Sequence, residues 1–152
     1  MELREVRLTD AAVAPLLAAL GEEYQRRYGA SDEMTTTRAE EFDPPGGGFV
    51  VLVDGGRTVA GGGIRRRSRD TCEVKRMWTA PDRRRQGHAT TILRELEELA
   101  RVRGYTRVWL ETGPSQPEAL ALYAQAGYTP IPVYGRYPSA RAFELVLGGR
   151  VG

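Results

Sequence analysis

Cysteine, histidine and lysine each occur once in 152 residues, and the first two scarcities each close off a class of chemistry. Cys72 alone can form no internal disulfide and has no partner for a cysteine-based zinc site. His88 alone excludes multi-histidine metal centres, so no metal is expected, and a Ser-His-acid triad would have to be built around one loop residue. No apolar run approaches the length that spans a bilayer, and charge begins at Glu2 where a leader would carry a basic and then an apolar region. Neither membrane insertion nor secretion is expected, and a reducing cytoplasm fits. Net charge is small as well: 22 basic and 20 acidic residues leave +2, which argues against nucleic acid or an anionic membrane as a general partner. The local runs Arg65, Arg66, Arg67, Arg69 and Arg83, Arg84, Arg85 read, on their own, as solvated surface. No repeat, linker or low-complexity tail divides the chain, so residues 1–152, 41% of them hydrophobic, are read as a single domain.

The remaining pattern alternates strands and helices. Leu3 to Leu8 reads as a strand before the helix cap Thr9-Asp10, and Val13, Leu16, Leu17, Leu20 and Tyr24 share one face of a helix over about 11–27. Residues 30–48 carry little core pattern beyond a short helix near Thr36 to Phe42, and such a segment suits substrate recognition. Phe49–Val53 and Thr58–Arg65 flank Asp54-Gly55-Gly56, a hairpin signal. Thr71–Thr79 is a third strand, with simple alternation placing Cys72, Val74, Arg76 and Trp78 on one face and Glu73, Lys75, Met77 and Thr79 on the other. Ala89, Ile92, Leu93, Leu96, Leu99 and Ala100 define the clearest helix, stopped by Gly104. Val108 and Leu110 mark a strand ending at Glu111, and Ser115-Gln116-Pro117-Glu118 opens a helix through Ala126. A final hairpin joins Thr129–Val133 to Ala140–Leu147.

The most specific segment is Arg84-Arg85-Gln86-Gly87-His88-Ala89, between a strand and the clearest helix. A helix start leaves several N–H groups without intrahelical partners and carries the positive end of the macrodipole, so this turn suits an anionic diphosphate. Gly87 lets the backbone approach closely and Ala89 is too small to obstruct it. Neither a Walker A loop nor a Rossmann fingerprint is present.

From Glu73 to Tyr128 the chain resembles the GNAT superfamily of CoA-dependent N-acetyltransferases. Arg84, Gly87 and Ala89 fall on the defining positions of that family's Gln/Arg-x-x-Gly-x-Gly/Ala signature, and Glu111 to Tyr123 followed by Gly127-Tyr128 is similar to the second half of its cofactor site. The resemblance implies a mixed α/β fold with a central, mostly antiparallel, splayed sheet flanked by helices. It implies acetyl-CoA as cosubstrate, held by Arg84, Arg85, Gln86, Gly87, His88 and Ala89, by the backbone of Met77, Trp78 and Thr79, and by Tyr123. Many members carry asparagine where this chain has Gln116, so that contact departs from the pattern.

Amide formation needs a free amine, a polarised carbonyl and a proton for the departing thiolate. Glu73 and Glu111 are the candidate bases, Glu73 preferred because it stands four residues before Met77, where the histone-acetylating branch places its base. Tyr123 matches the family's general acid. His88 is expected to face solvent. The acceptor is expected to be an amine of a small molecule or amino acid, reached by direct attack in a ternary complex, with Tyr24, Tyr28, Asp32, Glu33, Tyr134 and Tyr137 as pocket candidates by loop position. A homodimer stays open. Two other classes stay open too: a non-catalytic acyl-CoA sensor, and a basic nucleic-acid-binding module using the arginine runs.

Overall fold

A computed structural model describes residues 1–28, 38–113, 117–135 and 138–148. Seven strands, β1 (Glu2–Val6), β2 (Gly48–Asp54), β3 (Arg57–Arg66), β4 (Thr71–Thr79), β5 (Arg107–Thr112), β6 (Thr129–Ile131) and β7 (Arg141–Val146), form one sheet in the order β1-β2-β3-β4-β5-β7-β6. All described pairings are antiparallel except β4 with β5. Three helices, α1 (Ala14–Tyr28), α2 (His88–Val102) and α3 (Pro117–Gln125), complete the mixed α/β architecture read from the sequence. The expected short helix near Phe42 is a 3-10 turn at Ala39–Phe42, and the start of the first helix is a 3-10 turn at Ala11–Val13, capped by the Asp10 side chain on the Ala12 N–H.

The sheet is covered on both sides because β2 is apolar on both faces. Val50 and Leu52 join Ile92, Leu93 and Leu96 of α2 in one cluster, while Phe49, Val51 and Val53 join Leu16 and Leu20 of α1 in the other. Such a doubly buried strand reads as a continuous hydrophobic run. β3 beside it carries Gly61-Gly62-Gly63, and the lack of side chains brings the layers close: a Cβ on Gly61 would lie 2.7 Å from Leu16, one on Gly63 2.5 Å from Phe49, and one on Gly62 2.6 Å from Met77.

Two local geometries position the site. The Asp54-Gly55-Gly56 turn is the expected hairpin, with φ of +56° and +80° at its glycines, and its ends hold the segment before α2: Arg83 meets Asp54 at 2.6 Å, and Arg57 meets Asp82 through two 2.7 Å hydrogen bonds. In β4 the register slips by one residue opposite Gly62, and Arg76 takes φ +59°. This β-bulge corrects the simple two-face reading of the strand. Cys72 and Val74 pack on the α2 side, but beyond the bulge Met77 takes that side, while Arg76 lies over the Phe42 ring at 5.2 Å and Trp78 joins the α1-side cluster. One extra residue inverts every face after it.

The bulge coincides with a parting of strands. β4 and β5 pair only over Thr71, Cys72 and Glu73 against Arg107, Val108 and Trp109. Beyond Glu73, β4 keeps β3 and β5 keeps β7, so a wedge opens inside the sheet.

Gly62→Val should destabilise the fold by about 1–3 kcal/mol, since its methyls would displace Met77, Leu96 and Ile92 from a filled layer. Urea unfolding checks it, and an unchanged midpoint would show that the layer has slack there.

Candidate active site

One end of the wedge is the turn before α2. Arg85 and Gly87 both sit in the left-handed region, φ +64° and +82°, and Gly87 is the N-cap of a 15-residue helix with no side-chain cap. The first-turn N–H groups therefore point outward without an internal competitor. A Cβ on Gly87 would meet nothing within 4 Å, so the space before the turn is open. Arg84 folds back to donate from Nε to the Thr79 carbonyl at 3.2 Å, tying the turn to the end of β4. The exposed Arg85 guanidinium lies 3.5 Å from Glu118 on the first turn of α3, across the opening. An open, cationic, glycine-capped helix start fits a diphosphate, and the strand edge left by β5 along Val74–Thr79 fits an extended polar chain that needs backbone partners.

His88 departs from expectation. It is 7% exposed, not solvent-facing, because as the first residue of α2 it turns inward beneath the helix, and its Nε2 has no hydrogen-bond partner among the described residues.

The other end of the wedge is a cluster of charged and aromatic side chains on the α1-side face. Glu73, 4% exposed, accepts from Arg65 Nε at 2.9 Å on one oxygen and from the Tyr134 hydroxyl at 2.7 Å on the other. Arg65 also reaches Glu41 at 3.0 Å. Glu111, half-buried on β5, accepts from the Gly135 N–H at 3.2 Å. Burial raises its carboxyl above the ordinary range; the Glu73 charge adds to the rise, and the Gly135 N–H and Lys75 oppose it. Burial and the adjoining Glu73 carboxylate raise the Tyr134 phenol strongly, so it stays a donor. Its ring packs on Trp109 at 4.9 Å, with the Arg67 guanidinium 4.5 Å from its centre.

The structure thus brings both candidate carboxylates and Tyr134 together. Arg65, Arg67, Trp109 and Gly135 were missed by sequence reading. Of that run Arg66, Arg67 and Arg69 are exposed as read, but Arg65 is half-buried and pairs with Glu73, while Arg67 lies over Tyr134 and Arg66 over Tyr105 at 5.0 Å. Counting outward along the β3–β4 hairpin would have matched Arg65 with Glu73, and alternation on β5 would have set Trp109 beside Glu111. Tyr123, 6% exposed, packs on Tyr128 and Phe143, and burial pushes its phenol up to about 12. Cys72 is buried on the opposite face from Glu73, its thiol also pushed up to about 12, mainly by burial. Tyr24 packs against the α1-side cluster. Gln116, Asp32, Glu33 and Tyr137 lie outside the described residues, as does the side chain of Tyr28. Among the described residues no helix is long and apolar enough to cross a membrane, and no cluster of metal-ligating side chains occurs.

Residues 16–128 match the acetyltransferase (GNAT) family, and the chain belongs to it. Solved structures agree along the whole length. A Klebsiella pneumoniae protein provisionally assigned as an acyl-CoA N-acyltransferase is 26% identical, with a TM-score of 0.78 and 97% of each chain covered. The Brucella melitensis ribosomal-protein-alanine N-acetyltransferase is 20% identical, TM-score 0.76, covering 97% of this chain and 100% of its own. An aminoglycoside 6′-N-acetyltransferase, solved with coenzyme A, is 15% identical, TM-score 0.74, with both chains fully covered. The latter two share the fold. No curated protein matches the chain significantly.

Proposed function

We propose that the chain transfers an acetyl group from acetyl-CoA to an amine of a small molecule or amino acid, by direct attack in a ternary complex. The observation that carries this reading is the wedge between β4 and β5, with a glycine-capped helix start at one end and two carboxylates at the other. Bound acetyl-CoA would supply the activated acyl group and a thiolate leaving group. The Arg84–Ala89 turn would hold its diphosphate through first-turn N–H groups, with Arg85 adding charge at the rim, and Met77, Trp78 and Thr79 would bind its arm through their backbone.

Between the carboxylates, geometry favours Glu111 as proton acceptor and reverses the preference drawn from spacing. Both Glu73 oxygens are engaged by Arg65 and Tyr134, which suits an anchoring anion. Glu111 is partly open and has a raised pKa, closer to the amine it must deprotonate. Tyr123 would keep its proton at neutral pH. Handing it fully to a thiolate with an ordinary pKa of about 8.5 is uphill by roughly 3.5 units, or about 5 kcal/mol, so the phenol would act as a hydrogen-bond donor to the sulfur.

Three outcomes test the reading, with thiol release measured from acetyl-CoA against amino acids, polyamines and aminoglycosides. Gly87→Val, strained at positive φ and filling the open space, should abolish the thermal shift that acetyl-CoA gives the wild type; an unaltered shift removes the turn from the site. Glu111→Gln should lower kcat by about 10² to 10⁴ with acetyl-CoA binding retained. Because the base works only when ionised, wild-type activity should fall as pH drops through the raised Glu111 pKa, and the variant should lose that limb and recover as rising pH supplies free amine. Greater loss in Glu73→Gln than in Glu111→Gln would return the role to Glu73. Tyr123→Phe should keep acetyl-CoA affinity and slow turnover by about tenfold, and a wild-type rate would mark the ring as packing alone.

A further inference from the structure

Two consecutive residues of the β6–β7 connection engage both carboxylates at once. The Tyr134 hydroxyl donates to Glu73 Oε2 at 2.7 Å, and the next residue's N–H, on Gly135, donates to Glu111 Oε2 at 3.2 Å. Glu73 and Glu111 stand on β4 and β5 beyond the last paired residue or at it, so no strand hydrogen bond fixes their separation directly. Gly135 touches Glu111 so closely that a Cβ built there would overlap Oε1, although its φ lies outside the left-handed region and any residue could adopt the backbone. The glycine is required by contact with the carboxylate, not by the turn. Arg67 backs the arrangement, its guanidinium over the Tyr134 ring and its terminal nitrogen 3.5 Å from the Tyr134 carbonyl, and Trp109 supports the ring from β5.

We propose that Tyr134 is a positioning residue: its phenol latches the β6–β7 connection to Glu73 and so delivers the Gly135 N–H to Glu111, fixing how the Glu111 carboxylate is presented to the acceptor amine. The inference rests on the reading of Glu111 as base. A carboxylate on a half-buried side chain has free terminal torsion, and a base misaligned by a small rotation loses the short approach that proton transfer needs. Anchoring Oε2 on a backbone donor, with Gly135 packed against Oε1, sets the plane of the carboxylate. Glu73, already neutralised by Arg65 and buried, then serves as the fixed post to which the latch is tied.

Tyr134→Phe keeps the ring, its stack on Trp109 and its contact with Arg67, and removes only the latch. The expected result has two parts. Hydrogen exchange at the Gly135 amide should accelerate by about tenfold or more, the size of a lost hydrogen bond to a charged group, in the free protein and so without any acceptor. With acetyl-CoA and the amine giving the fastest thiol release in the panel above, kcat should fall about tenfold while the acetyl-CoA KM stays within twofold. Gly135→Ala is the second variant, since it moves Glu111 while leaving Tyr134 intact, and it should lower kcat with acetyl-CoA KM likewise retained. Wild-type exchange at Gly135 in Tyr134→Phe overturns the latch, and faster exchange with unchanged kcat overturns its catalytic consequence. Failure of the base reading shows differently, as a wild-type rate in Glu111→Gln.

Discussion

Everything distinctive in this fold follows from how briefly β4 and β5 stay together. A parallel pair three residues long begins where the Asp70 carbonyl accepts from the Thr106 and Arg107 N–H groups, and beyond it each strand keeps only its other neighbour. The bulge at Arg76 sets its side chain over the Phe42 ring, and a left-handed arginine costs about 1–2 kcal/mol. An open edge inside a sheet is otherwise unfavourable, because its polar backbone groups must find partners elsewhere. A cosubstrate with an extended amide-bearing arm is the partner the proposed function supplies.

The same parting sets the electrostatics. On the α1-side face the strands carry Arg65, Glu73, Lys75 and Glu111, and the connections add Arg67 and Tyr134, so charges of both signs converge on a half-buried cleft. Glu73 pairs with Arg65, while Glu111 accepts from the Gly135 N–H, and the Lys75 charge opposes the rise of its pKa. Two like carboxylates in one cleft are therefore made unlike by their neighbours, one held at both oxygens by Arg65 and Tyr134 and one with a raised pKa. That asymmetry is what a general base requires, and it arises from which strand each glutamate stands on, not from a difference in residue type.

Much of this was legible in the sequence because it depended on local chemistry. Gly55 and Gly56 announced their turn, the apolar spacing from Ala89 to Ala100 announced α2, and Gly87 marked the turn that starts that helix. The bulge was not legible: a one-residue slip leaves no mark in a run of alternating residues, and it inverted the faces of Arg76, Met77 and Trp78. His88 read as solvent-facing because it fills the variable slot of the loop, yet as the first residue of α2 it is buried. The carboxylate partners were hidden for a different reason. Tyr134 lies 61 positions beyond Glu73, and only the return of β7 beside β5 brings its connection over the wedge.

The two ends of the wedge are anchored to different parts of the chain, and this separates their freedom to change. The turn at Gly87 is held by the β2–β3 hairpin through Asp54 with Arg83 and Arg57 with Asp82, and by Arg84 on the Thr79 carbonyl. The carboxylate end is held by the β6–β7 connection and by Arg65 and Arg67 at the far end of β3. No described hydrogen bond or ion pair joins the two sets of anchors except through the strands themselves. Rigid strands therefore fix the distance between the Gly87 turn and the two carboxylates, while the connections at the carboxylate end can be exchanged without loosening that turn. In the proposed reading, acceptor preference resides in the residues around Tyr134 and along the segment before β2, and use of acetyl-CoA resides in the Gly87 turn. A fold arranged in this way can keep one cosubstrate and serve many amines.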